Sequence, residues 1–390
     1  MSNLKKEILK TIWYFSFFNY PPSFEEVYVF LGKKATKKKV EEALKSLERQ
    51  NKVKKEKDLN NVTRYTLHVT RNNTVGEYGI NKSKIKKQKS KIGEYNKKYL
   101  FSQKKLQNWR FRVYVKLLSV FPQIKLVGLS GSLAMMNADE KDDIDLFIIT
   151  AKDRLFTGRF LAIILAKLLK IHRGFDNKKR KKNFVIPNLP YLPAGKFRNL
   201  LNKTLKQVQG DIDENRRSTL YVTRYTNKVC LNLFFAEDDL AVPEFKRNTY
   251  VAHEVLQMKP IINKDNTYER FLRANSWVFK IFPNTKDFLN SKSQTLNPKQ
   301  YQNSNIKNSK SFNFFNFLFF SLFRISCFGF RILGDWLENQ FGQIEMYFIN
   351  KHKTTEIITN TQLWFHPEDF YKKIQGLTQK RKTDIQDRYE

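Results

Sequence analysis

The sequence predicts an α+β chain built from several units, and three observations carry that prediction. Its 390 residues exceed what one hydrophobic core ordinarily spans. Apolar residues recur at helical spacing from Leu4 to Phe18 and again from Thr36 to Asn51. Between Val113 and Thr150 the pattern changes to helix, strand, turn, helix, strand. Hydrophobic residues make up 41% and include 34 Phe, so packed cores are expected and a globally disordered chain is excluded.

The first unit spans residues 1–70. Leu4 to Phe18 is helical, Tyr20-Pro21-Pro22-Ser23 is a stop followed by an N-cap, and Phe24 to Leu31 resumes the helix. A third helix, Thr36 to Asn51, carries an apolar stripe of Val40, Ala43, Leu44 and Leu47, with Lys37, Lys38, Lys39, Lys45 and Arg49 largely outside it. Lys52 to Lys57 and Val62 to Val69 alternate as two strands about Leu59-Asn60-Asn61. Three helices and a two-stranded hairpin resemble a winged helix-turn-helix, which implies a third helix placed to enter a major groove. The same pattern also suits a packing domain with a solvated lysine face. Residues 71–112 are strongly basic, then aromatic through Tyr95, Tyr99, Phe101, Trp109 and Phe111, and read as a helical linker.

The chemistry lies in residues 113–240. Lys125-Leu126-Val127-Gly128-Leu129-Ser130-Gly131-Ser132 is an apolar strand ending in a small-residue turn, and Leu133 to Ala138 continues as a short helix. Ten residues after Ser132 comes Asp143-Ile144-Asp145-Leu146-Phe147-Ile148-Ile149-Thr150, a second apolar strand that opens with two carboxylates. Residues i and i+2 of a strand share a face, so Asp143 and Asp145 can share divalent ions while Ile144 packs on the other side. Gly131 lets backbone approach a phosphate closely, and Ser132 adds a hydroxyl and an amide at a helix N-terminus. Asp142 has the wrong parity for the pair and reads as a solvated loop residue.

This combination resembles the signature of the polymerase-beta-like nucleotidyltransferase superfamily, most closely its minimal bacterial type, over residues 110–175. The resemblance implies a small mixed sheet, Mg²⁺ (or Mn²⁺) and a nucleoside triphosphate (NTP) as cofactor and co-substrate, and transfer of a nucleotidyl group to an acceptor hydroxyl. It places Gly131 and Ser132 at the phosphate-gripping turn, and Asp143 and Asp145 as catalytic metal ligands. Catalytic members carry a third carboxylate on a later strand. The best later strand here, Lys228 to Phe235, offers Asn232 at that point, with Glu237, Asp238 and Asp239 just beyond it. That departure leaves a rival open: a catalytically inactive nucleotidyltransferase-fold regulator that binds nucleic acid.

The remaining segments are read more briefly. Residues 153–171 form a helix in which Arg154 and Arg159 read as surface charges rather than phosphate ligands. Residues 176–228 look like an insertion, part of it resembling peptides encoded by dispersed bacterial repeat elements. Residues 241–283 suggest two helices separated by Lys259-Pro260, with His253 structural. Residues 284–311 are a polar flexible linker and 312–390 a helical C-terminal region. Phe312 to Leu333 is interrupted by Asn313, Asn316, Arg324 and Arg331, which favours a docked helix over a membrane span. His366-Pro367-Glu368-Asp369 reads as a turn before a final helix, not a metal cluster.

Composition sets the partners. Lys and Arg number 72 against 37 Asp and Glu, a net charge of +35, which favours a polyanion: nucleotide, nucleic acid through the basic surface, or anionic lipid. Cys230 and Cys327 are the only cysteines, too few for a disulfide framework or a thiolate zinc site, and Met1 to Lys10 has no secretory pattern. A cytoplasmic setting is therefore expected, with oligomeric state and acceptor unread.

Overall fold

The computed structural model describes residues 2–68, 91–173, 227–285, 334–352 and 356–365. Most of the expected insertion and linker, the Phe312 to Leu333 stretch and the His366 turn lie outside them. Among the described residues no helix is long and apolar enough to cross a membrane.

The chain mixes helices and sheets, as the α+β expectation requires. It opens with α1 (Asn3–Ser16), α2 (Phe24–Val29) and α3 (Lys37–Arg49), then a hairpin of β1 (Val53–Lys57) and β2 (Thr63–Leu67). Ser23 starts α2 with a capping box: its hydroxyl accepts from Glu26 N while the Glu26 carboxylate accepts from Ser23 N. Next come α4 (Lys91–Gln107) and α5 (Trp109–Val120). The linker expected over 71–112 is, from Lys91 on, helix packed into the body, burying Ile92, Tyr95 and Phe111. The stems of Lys98 and Lys105 run along this packed surface, which is why a lysine-rich helix can be buried.

A second sheet has six strands in the order β6 (Lys259–Asn263), β3 (Ile124–Leu129), β4 (Ile144–Thr150), β5 (Val229–Ala236), β8 (Gln362–Trp364), β7 (Ile357–Ile358). The β4 and β5 strands run parallel and the other pairs antiparallel. Interleaved are α6 (Gly131–Ala134), α7 (Leu155–Leu168), α8 (Thr249–Gln257), α9 (Thr267–Ala274), α10 (Val278–Ile281) and α11 (Gly334–His352). Strand β6 was not expected: Lys259-Pro260 is the start of an edge strand on β3 and not merely a break between helices. Pro260 is tolerated there because an edge strand leaves one row of N–H groups unpaired by the ladder.

Alternation along β4 divides the molecule. Ile144, Leu146 and Ile148 enter one core, with α5, α7 and α11 residues such as Tyr114, Leu165 and Phe341. Phe147 and Ile149 enter the other, where they join Val255, Phe271 and the core of the N-terminal unit, Ile12, Phe15 and Leu47 among them. The N-terminal unit therefore shares a continuous core with one face of the sheet. Asn284 ties the two together, accepting from Ala35 N at 3.1 Å and donating to the carbonyls of Tyr28 (3.0 Å) and Lys33 (3.1 Å).

Candidate functional site

The odd-numbered face of β4 looks onto a cavity of about 960 Å³, enclosed by the β3–α6 turn, the start of β4, helix α8 and the N-terminal helix α1. Asp143 and Asp145 both line it, and Ile144 between them is fully buried in the opposite core, so the i, i+2 parity read from sequence holds here. Gly131 and Ser132 line the same rim. Gly131 has φ +60°, the left-handed region, and a Cβ built on it would meet Asp145 Oδ2 at 2.6 Å. Only glycine allows the turn to close over the carboxylate. Ser130 N donates to the Asp145 carbonyl at 3.0 Å, locking turn to strand.

Two expectations about the turn change. Ser132 Oγ donates to Asp142 Oδ2 at 3.0 Å, and Asp139 N donates to the same oxygen at 2.9 Å, so Asp142 organises the 132–142 loop instead of lying free in solvent. Helix α6 is four residues long, too short for the anion-favouring helix terminus expected at Ser132. The loop is also held from α4: Lys105 Nζ donates to the carbonyls of Glu140 (2.9 Å) and Asp142 (2.6 Å), and Lys98 pairs with Asp139 at 3.2 Å.

The carboxylates sit in a setting that resists negative charge. Burial, then Glu254 and Asp143, push the Asp145 carboxyl up to about 7. Burial also raises Asp143, against the opposing pull of Arg173 and Lys105. Arg173, just past α7, stands 2.9 Å from Asp143 Oδ2. Its Nη1–H also donates to Cys230 Sγ at 3.6 Å, a thiol that burial pushes up to about 11. Hard carboxylate oxygens fit Mg²⁺ or Mn²⁺, and the guanidinium shows that a cation is accommodated at Asp143. Among the described residues no group of three or more His, Cys, Asp or Glu forms a metal site. Two carboxylates suit an ion that shares its shell with water and substrate phosphate, the usual habit of Mg²⁺.

The later strand departs from its expected part. In β5 the residue in register with Asp145 is Cys230, and a bulge follows, Leu146 facing Leu231 and Phe147 facing Leu233. Asn232 falls in the bulge and does not line the cavity, whereas Leu233 does. Glu237 lies at the far end of the strand, roughly 20 Å along it from Cys230. There it is engaged by Arg270 at 2.9 Å and by Lys152 N, and Asp239 accepts from Thr361 Oγ1 at 2.6 Å. Neither the Glu237 nor the Asp238 position serves the cavity. Arg154 and Arg159 are likewise structural, paired with Asp335 and Glu345 on α11.

The carboxyl that sequence reading missed is Glu254. It projects from α8 into the cavity, accepts from Tyr250 Oη at 3.0 Å, and is held above the usual carboxylate range by burial. On a helix whose other positions are mixed, one glutamate beside His253 carries no distinguishing pattern. His253 itself is structural as expected, buried and stacked between Tyr14 (4.1 Å) and Phe30 (4.4 Å).

Comparison of the chain with protein-family models, curated proteins and solved structures finds no match.

Proposed function

We propose that the chain is a nucleotidyltransferase that moves a nucleoside monophosphate from an NTP to an acceptor hydroxyl. The observation that supports this best is the left-handed Gly131 turn closed over Asp145, with Asp143 at the same rim of one cavity. Asp143 and Asp145 would hold Mg²⁺ or Mn²⁺, which when bound neutralises charge on the phosphoryl oxygens during in-line displacement. Gly131 lets the turn sit directly against the Asp145 carboxylate, and Lys105 and Asp142 keep that loop in place.

Glu254 is the residue suited to take the proton. The acceptor oxygen bonds the α-phosphorus as the bond to the bridging oxygen breaks. That electron pair leaves with pyrophosphate, and the hydroxyl proton passes to the Glu254 carboxylate. Tyr250 Oη fixes the orientation of that carboxylate, and burial makes its ionised form more basic. Tyr14 of α1 and Phe18 just after it wall the same cavity, so the acceptor meets the N-terminal unit as well.

Incubation with each α-labelled NTP, Mg²⁺ and cellular RNA, protein and small-molecule extracts tests the reading. Label transfer by the parent that is lost in Asp143→Asn/Asp145→Asn supports it, and absence of both binding and transfer in the folded parent refutes it. A second reading, a non-catalytic nucleic-acid-binding regulator, is favoured by the Arg173 cation seated on Asp143. Salt-steep DNA or RNA binding that ignores changes at Asp143 and Asp145 would establish the second reading.

A further inference from the structure

Resting on that reading, we propose that Arg173 is a triphosphate-binding residue held in reserve. It neutralises Asp143 before ligand arrives and passes to the polyphosphate once a divalent cation is held by Asp143 and Asp145. Three observations carry the idea. Arg173 lines the cavity with its guanidinium 2.9 Å from Asp143. Its side chain is 59% exposed while that of Asp143 is 21% exposed, so the pair is the kind that contributes little and is given up readily. Its backbone is pinned, Arg173 N donating to the Val229 carbonyl at 3.1 Å, so the released side chain still sweeps the rim of this cavity.

Charge explains the direction of the exchange. A dication brought to two carboxylates that already hold a guanidinium makes the cluster net positive, which works against the metal alone. A triphosphate supplies the missing negative charge, and the planar fork of arginine matches phosphate oxygens two at a time. The other contact of Arg173, to the Cys230 thiol at 3.6 Å, is a weak acceptor and offers little resistance to the move.

Removing Arg173 should therefore act with opposite signs on two ligands. In the full chain, Arg173→Ala should bind Mn²⁺ alone, followed by electron paramagnetic resonance, up to about fivefold tighter. The same variant should bind the non-transferable α,β-methylene nucleoside triphosphates, each titrated with Mn²⁺, about tenfold or more weakly. Arg173→Lys should return Mn²⁺ binding to the parent value yet recover only part of the triphosphate affinity. Effects of the same sign on both ligands, or none on either, overturn the proposal. Asp143→Asn and Asp145→Asn separate the two levels of inference. If they abolish Mn²⁺ binding while Arg173→Ala changes nothing, the arginine proposal fails alone. If they leave Mn²⁺ binding intact in protein shown to be folded by circular dichroism, the carboxylate reading fails and the role of Arg173 with it.

Discussion

Replacing Gly131 with alanine isolates the geometry on which the site depends. The new Cβ would stand 2.6 Å from Asp145 Oδ2 and 3.4 Å from its Cγ. Ordinary contact begins near 3.4 Å, so the carboxylate must retreat by about 0.8 Å, or the turn must abandon φ +60°. The left-handed conformation itself costs a non-glycine residue about 1–2 kcal/mol. Adding the crowding, a stability loss of about 2–3 kcal/mol is expected in denaturant titrations. Mn²⁺ affinity should fall at least tenfold and label transfer about a hundredfold, because a displacement near 1 Å at a reacting centre has that scale of effect. Gly93 gives the control. A Cβ there meets nothing within 4 Å, and Gly93→Ala in the first turn of α4 should stabilise the protein by up to about 0.5 kcal/mol with Mn²⁺ binding untouched. A Gly131→Ala protein that binds Mn²⁺ as tightly as the parent would refute the inference that the turn and Asp145 form one site.

Other outcomes follow from the same coordinates. Glu254→Gln should keep Mn²⁺ and triphosphate binding within about twofold but lower transfer about a hundredfold and remove an ionisation from its pH profile; an unchanged profile counts against Glu254 as proton acceptor. Asp145 is raised to about 7 in the folded state, above its ordinary 3.8, so the folded form holds the extra proton and stability declines as pH rises from about 4 to 7. Asp145→Asn should cancel that decline, leaving the variant about 4 kcal/mol more stable than the parent at pH 8 and no different at pH 4, as urea midpoints would show. His253 is depressed to about 3 by burial, below its ordinary 6.5, so its contribution is intact above pH 6.5 and lost on acidification toward 3. His253→Phe should flatten that acid limb in thermal melts. Asn284→Ala leaves the buried Tyr28 carbonyl and the more exposed Lys33 carbonyl and Ala35 N–H without this partner and should cost about 1–2 kcal/mol, with earlier proteolysis near residue 35.

Local patterns were the legible ones. The Gly131 turn and the Asp143/Asp145 pair are set by glycine chemistry and a two-residue repeat, both visible in a window of a few residues. The helices and hairpin of the first 68 residues follow likewise from spacing, caps and turns. Contributions that depend on distant chain were hidden. The β5 bulge shifts parity, so Val229 and Leu231 share a core with Phe234, and Leu233 rather than Asn232 comes to line the cavity. Strand β6 is five residues long, contains a proline, and exists because β3 offers it a ladder. Glu254 and Arg173 look like ordinary surface charges until α8 and the end of α7 are brought to the cavity. Lys98 and Lys105 read as solvated because composition cannot say which lysine stems are covered.

The continuous core shared by the N-terminal unit and the far side of the chain has a temporal consequence during synthesis. Asn284 reaches back across 256 positions to Tyr28, and Phe30 waits for His253 and Phe282. At ordinary elongation rates of about 5–20 residues per second, the first helices leave the ribosome about 13–50 s before their covering partners exist. During that interval Phe15 and Phe30 are sticky surface on a nascent chain. Yield of intact protein should thus respond to chaperone supply and to translation speed, and the cavity that α1 walls can form only after α8 has been made.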